Sequence, residues 1–272
     1  DPELADVVLP DGRPAWLDGG PPRHRAPIEG AVVFHAVNLE HGSLVPPEPT
    51  DADDTELAPD QAAAVGHDAG SARIIAPAGS GKTRVLTERA RRLVVSWRVP
   101  ASAIGLVAFN ARAQQEMRER TADLDGLQVR TLNSIALAVL NGTPPFAPRA
   151  RSVRTITEPD VRRILDRLVR VRRVRNTDPM AAWIEALGLI RLGLVPPAEV
   201  ESRYDGEVDG LTEVWPRYRA ELDRGGVVDF DGQIHGALEV LLGDPAARAA
   251  AQRVCRHLLV DEFQDLTPAH VL

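Results

Sequence analysis

The string APAGSGKT at residues 76–83 constrains the fold of this chain more than any other stretch. It follows a short apolar run, ARIIA at 72–76, and it precedes a segment, 85–95, in which apolar residues recur at helical spacing. A strand, a glycine-rich turn and a helix in that order are the setting that a phosphate loop requires. Gly79 and Gly81 let backbone N–H groups turn inward around phosphate oxygens, and the helix start adds its partial positive charge. Lys82 then reaches the outer phosphates, and the Thr83 hydroxyl takes one position on Mg²⁺. The first glycine of the usual pattern is replaced by Ala76.

Composition sharpens the point. Lys82 is the only lysine; every other long cation is arginine. Such a bias fits a GC-rich genome in which arginine replaces lysine wherever a generic cation suffices. At position 82 a compact ammonium is needed, because a planar guanidinium does not fit beneath a phosphate loop. The net charge of −7 means that any grip on nucleic acid comes from a local patch. One cysteine, Cys255, allows no internal disulfide and reads as a small apolar residue beside a strand. No apolar run is long enough to span a bilayer and no basic-then-apolar leader opens the chain, so the expected location is the cytoplasm.

Residues 1–56 are rich in Pro and Gly, with an apolar stretch at 28–39 and acidic residues near the end. They read as a small irregular or β-containing segment and an acidic linker. Beyond them, strand-like runs at 72–76, 103–109, 127–131 and 257–260 alternate with helical patterns, which predicts a parallel α/β sheet. Ligands of such sheets sit at the carboxyl ends of the strands. Between about 144 and 250 the strand signal disappears, and helices are expected at 160–175, 179–192, 211–224 and 233–242. The expected organisation is an N-terminal extension (1–56), a nucleotide-binding part (57–143 and 251–272) and a helical insertion (144–250).

The second motif is HLLVDEFQD at 257–265, an apolar strand running into carboxylates. A phosphate-loop nucleotidase needs one carboxylate on Mg²⁺ and another group to orient or deprotonate the attacking water. Asp261 and Glu262 supply both. Asp265 also suits an N-cap before the helix that Pro268 could start. A GTPase would need an Asn-Lys-x-Asp string, and its lysine is not to be found outside position 82. The Ser-Gly-Gly signature of ABC-type ATPases is absent.

Six elements occur in one order: Asp60 with Gln61; APAGSGKT; FNARA at 109–113; TLNS at 131–134; Asp229, Phe230 and Asp231; and DEFQD at 261–265. In that order they resemble the UvrD/Rep-like superfamily 1A DNA helicases, including the helicase halves of AddAB-type nucleases, over residues 57–272. The resemblance implies a RecA-like α/β domain with a mostly helical insertion, and ATP with Mg²⁺ as cofactors. It implies nucleotide contacts from Gln61, Ala78, Gly79, Ser80, Gly81, Lys82, Thr83 and Arg84, with Gln61 reading the adenine edge. Mg²⁺ would be held by Thr83 and Asp261. Glu262, Lys82 and Gln264 would be catalytic, Gln264 sensing the γ-phosphate. Contacts to single-stranded or partly duplex DNA would come from Phe109, Asn110, Arg112, Thr131 and Asn133. The family usually has histidine where Asn133 stands, which weakens that contact.

Several readings stay open at this level. Phe109 suits base stacking and equally the buried end of a strand. Asp229, Phe230 and Asp231 alone could be a turn. Arg162, Arg163, Arg167, Arg170, Arg172, Arg173 and Arg175 form a basic run that suits a solvated face or DNA. The resemblance implies an ATP-driven 3′-to-5′ translocase or helicase of DNA repair or recombination, nucleoid-associated when on DNA, and further helicase domains that supply arginine fingers. The chain is then part of a larger motor with repair or nuclease partners, and alone it is expected to hydrolyse ATP little. The alternatives are a non-catalytic nucleotide-binding scaffold and a subunit of an AddAB-like helicase–nuclease.

Overall fold

A computed structural model of the chain describes residues 6–7, 33–34 and 57–272, apart from 69, 78, 171–177 and 179. Strands β1 (Asp6–Val7) and β2 (Val33–Phe34) pair antiparallel. The apolar stretch expected to hold β structure thus does so at Val33–Phe34, while the acidic linker lies outside the described residues. The chain divides into two compact units: residues 1–130 with 255–261, and residues 131–254 with 262–272.

In the first unit, helices α1 (Pro59–Gly66) and α2 (Lys82–Val95) pack through Ala64, Val65 and Val85. Strand β3 (Ile104–Ala108) is the middle of a three-stranded sheet, between β4 (Gln128–Thr131) and β7 (His257–Val260). All five of its residues are buried, which is why its sequence is a continuous apolar run rather than an alternating one. β7 runs parallel to β3, with Ile104 opposite His257 and Val107 opposite Val260. Helix α3 (Ala111–Arg120) covers the sheet by inserting Met117 against Leu106, Ala108 and Val129. Cys255, expected to be buried beside a strand, is half-buried there: a Cβ at Gly105 would lie 3.5 Å from its Sγ, and partial burial pushes its thiol pKa up.

One expected strand is not formed. Residues 71–77 belong to no ladder, and Ile75 is 65% exposed. An apolar run becomes a strand only by pairing, and among the described residues no strand lies beside this one. β7 is an edge of the described sheet, with Leu258 48% exposed.

The second unit is mostly helical: α4 (Leu132–Asn141), α5 (Glu158–Leu168), α6 (Ala181–Arg191), α7 (Pro197–Arg203), α8 (Leu211–Gly225), α9 (Phe230–Gly243), α10 (Pro245–Val254) and α11 (Pro268–Val271). Its core contains Leu165, Leu187, Val200, Leu211 and Tyr218, all with no exposed surface. Two short strands, β5 (Arg154–Thr155) and β6 (Val227–Val228), pair in parallel where no strand is predicted. At two residues each they are too short to leave a periodic signal. Helix α5 ends at Leu168, short of the basic helix expected over 160–175: Val169 turns extended (φ −118°, ψ 147°), and residues 171–175 lie outside the described residues. Among the described residues, no helix is long and apolar enough to cross a membrane.

Candidate functional site

The first unit gathers its chemistry around the start of α2. Gly79 (φ 77°) and Gly81 (φ 85°) both lie in the left-handed region, where a side chain would be strained. Gly81 is the N-cap of α2, which has no side-chain cap. A Cβ at Gly81 would come within 2.9 Å of Gln61 Nε2. Gln61 thus needs the glycine as a neighbour. Its Nε2 donates to the Ser80 carbonyl at 2.7 Å, and its Oε1 accepts the Ala58 N–H at 3.2 Å at the start of α1. One amide side chain therefore fixes both the start of α1 and the phosphate loop.

Lys82 donates from Nζ to the carbonyls of Ala76 and Pro77, each at 3.3 Å. The ammonium is thus bonded to the backbone of the loop that precedes it. Thr83 donates from Oγ1 to Asp261 Oδ2 at 3.4 Å, across 178 residues of sequence. Asp261 is 5% exposed and is set in place when its N–H donates to the Val107 carbonyl at 2.9 Å. A hydroxyl beside a buried carboxylate, at the end of a parallel strand, is an oxygen-donor pair of the kind Mg²⁺ takes alongside phosphate oxygens. Ser80 adds a buried Oγ with no hydrogen-bond partner among the described residues. Arg84 lies in the first turn of α2, and Ala78 lies outside the described residues.

At the end of β3 the chain emerges from the core. Phe109 is 53% exposed, which removes the reading of a buried strand end. Asn110 caps α3 by accepting the Ala113 N–H at 2.9 Å, and Arg112 is exposed in the first turn. Aromatic ring, helix start and guanidinium stand together on four residues of chain, 109–112.

In the second unit, Glu262 has left-handed backbone (φ 49°, ψ 47°). It accepts a short hydrogen bond from Gln264 Nε2, and its carbonyl accepts the Asp265 N–H at 2.9 Å. Thr131 and Asn133 have internal partners. Thr131 caps α4 by accepting the Ser134 N–H at 3.2 Å. Asn133 donates to the Phe230 carbonyl at 2.9 Å and to Gln233 Oε1 at 3.1 Å, tying α4 to α9. Thr267, not Asp265, is the N-cap of α11. Of the basic run, Arg162 pairs with Glu158 and Asp178, Arg163 with Asp160 and Arg167 with Glu221. That is the bonding of a solvated face. Arg172, Arg173 and Arg175 lie outside the described residues.

Sequence reasoning missed one charged cluster here. Asp229, read as part of a weak motif or a turn, is the buried N-cap of α9, and it accepts short hydrogen bonds from Arg191 and Tyr218. No local signal marks it: Arg191 ends a helix, AAWIEALGLIR, that also carries Glu185.

The chain is 30% identical over 238 residues to the ATP-dependent DNA helicase UvrD1 of Mycobacterium tuberculosis, covering 82% of this chain and 31% of the relative. It is 31% identical over 221 residues to the ATP-dependent DNA helicase PcrA of Leuconostoc citreum (77% and 29%). It is 27% identical over 216 residues to the ATP-dependent DNA helicase Rep of Escherichia coli (77% and 32%). The chain thus spans about a third of the length of the curated relatives it matches. The family described as the UvrD/REP helicase N-terminal domain matches residues 57–271, and the chain belongs to that family.

Proposed function

We propose that this chain is the ATP-binding half of a DNA helicase motor, and that it moves 3′-to-5′ along single-stranded DNA in repair or recombination. The observation that carries the reading is Thr83 Oγ1 at 3.4 Å from Asp261 Oδ2, directly after a loop whose lysine is the only one in the sequence. Thr83 and Asp261 would hold Mg²⁺, which when bound neutralises charge developing on the phosphates. Lys82, released from the Ala76 and Pro77 carbonyls, would move to the outer phosphates. Glu262 takes the proton of the attacking water, while Gln264, already bonded to that carboxylate, senses the terminal phosphate. Gln61, held against Ser80, presents its amide edge to adenine. Exposed Phe109 stacks a base, and Arg112 meets backbone phosphate. The motor's remaining domains supply the arginine fingers, a contribution of roughly 10³ to 10⁵ in rate.

The test is Mg·ATP binding to the natural sequence and to Lys82→Ala, each with and without a single-stranded oligonucleotide. Binding that is lost with Lys82→Ala and tightens with DNA supports the reading. ATP binding indifferent to both changes overturns it, and brisk DNA-stimulated turnover by this chain alone overturns the need for further domains.

A further inference from the structure

The buried cluster in the helical unit is not used by the proposed chemistry. Arg191 is 4% exposed, Asp229 4% and Tyr218 0%. Arg191 donates from Nη1 to Asp229 and from Nε to the Leu187 carbonyl, while Nη2 lies 3.4 Å from Asp231 Oδ2. Burial works most strongly against the guanidinium's charge, but Asp229, Tyr218 and Asp231 together outweigh it and raise the pKa. A charged group this deep is expensive unless its position matters.

What the cluster touches suggests that use. The residue after Arg191 is Leu192, whose carbonyl accepts the Ala269 N–H at 3.0 Å. Ala269 is 4% exposed. Asp231 stands in the first turn of α9, which packs against α11, and its charge acts on the next residue, His270: burial lowers the His270 pKa, and Asp231 opposes that shift. The ring is oriented, since its Nδ1 accepts the Thr267 N–H at 3.3 Å and lies 2.7 Å from Thr267 Oγ1. From Thr267 the chain leads back through a single turn, with Leu266 N–H on the Phe263 carbonyl and Asp265 N–H on the Glu262 carbonyl, to Glu262 and Gln264. Gly188, one turn before Arg191, admits the Asp231 carboxylate: a Cβ there would lie 3.3 Å from Oδ2.

We infer that Arg191 and Asp231 are positioning residues, which hold the segment carrying Glu262 and Gln264 by anchoring α11 at Leu192 and His270. The inference rests on the proposed role of Glu262, but its mechanical content does not. Asp231 on α9 acts on α11 through His270, and the Leu192 carbonyl holds its backbone at Ala269. The segment 262–272 is thereby tied to the helical core, although α11 has only four residues.

Hydrogen exchange of the whole chain tests this, comparing the natural sequence with Asp231→Asn, Asp231→Glu and Gly188→Ala. Asp231→Asn is expected to speed amide exchange at least fivefold across 263–272, with α5, α7 and α8 unchanged and ATP affinity within twofold. Asp231→Glu, which keeps the charge, is expected to restore most of the protection. Gly188→Ala improves helix propensity and so would not loosen α6 itself, yet it crowds the carboxylate and is expected to speed exchange in the same segment. Unchanged exchange at 263–272 overturns the inference. So does faster exchange spread evenly over α6, α8 and α9, which would make the cluster a core support and nothing more. ATP binding that ignores Lys82→Ala overturns the functional reading alone and leaves the exchange result intact.

Discussion

The two units place charge in opposite ways. In the sheet unit, Lys82, Thr83 and Gln61 are partly exposed and bond mainly to backbone carbonyls of the loop they serve. In the helical unit, Arg191 and Asp229 are sealed from solvent and satisfied by each other. The first arrangement leaves polar groups that can exchange a loop carbonyl for a ligand. The second cannot give up a partner without leaving a buried charge. Substitutions in the sheet unit should therefore read out in binding, and those in the helical unit in stability.

The largest effect is expected where the buried pair is broken. Asp229→Ala strands Arg191 and should lower unfolding stability by about 3–5 kcal/mol, measured by urea denaturation of the chain. A shift below about 1 kcal/mol would erase the contrast, because surface pairs behave that way. Lys82→Ala should do the reverse. Loss of its charged hydrogen bonds should weaken Mg·ATP binding by about 2–3 kcal/mol, read by calorimetry, with an unchanged urea midpoint.

Phe109→Ala comes next. A stacked base contributes about 1–3 kcal/mol, so binding of a fluorescent single-stranded oligonucleotide should weaken correspondingly while ATP affinity stays. The smallest effect is that of pH on the helical unit. The Thr157 hydroxyl and amide hold Asp160 below its ordinary pKa, and the Arg162 guanidinium does the same for Asp178. The Thr212 hydroxyl lowers Glu201, and the Ala247 N–H lowers Asp244. A carboxyl whose folded pKa is depressed stabilises above its unfolded value and loses that contribution as pH falls through the folded one. Stability of this unit should thus decline below about pH 4, followed by circular dichroism at 222 nm, and a midpoint that rises on acidification would contradict it.

What could be read from the sequence follows the same division. The phosphate loop and DEFQD are contiguous strings whose residue types are dictated locally by turn geometry and phosphate chemistry, so Gly79, Gly81, Lys82 and Asp261 were identifiable without a fold. The double role of Gln61 was not, because its contact with Ser80 spans 19 residues and exists only once α1 meets the loop. Arg191, Tyr218 and Asp229 join three helices, and no pattern within any one of them announces the meeting. Pairing was hidden for a further reason. The run at 72–76 has the composition of a strand yet finds no neighbour among the described residues, whereas β5 and β6, at two residues each, pair with one another.

The left-handed backbone of Glu262 carries a consequence for variants of this chain. A side chain held at φ 49° costs on the order of 1 kcal/mol against glycine. Glycine at 262 would make a more stable protein and delete the carboxylate that follows the buried aspartate. Conformation and chemistry thus call for different residues at the same position. A search for hardier versions that scores folding alone would drift toward the glycine, and selection for turnover would drive it back.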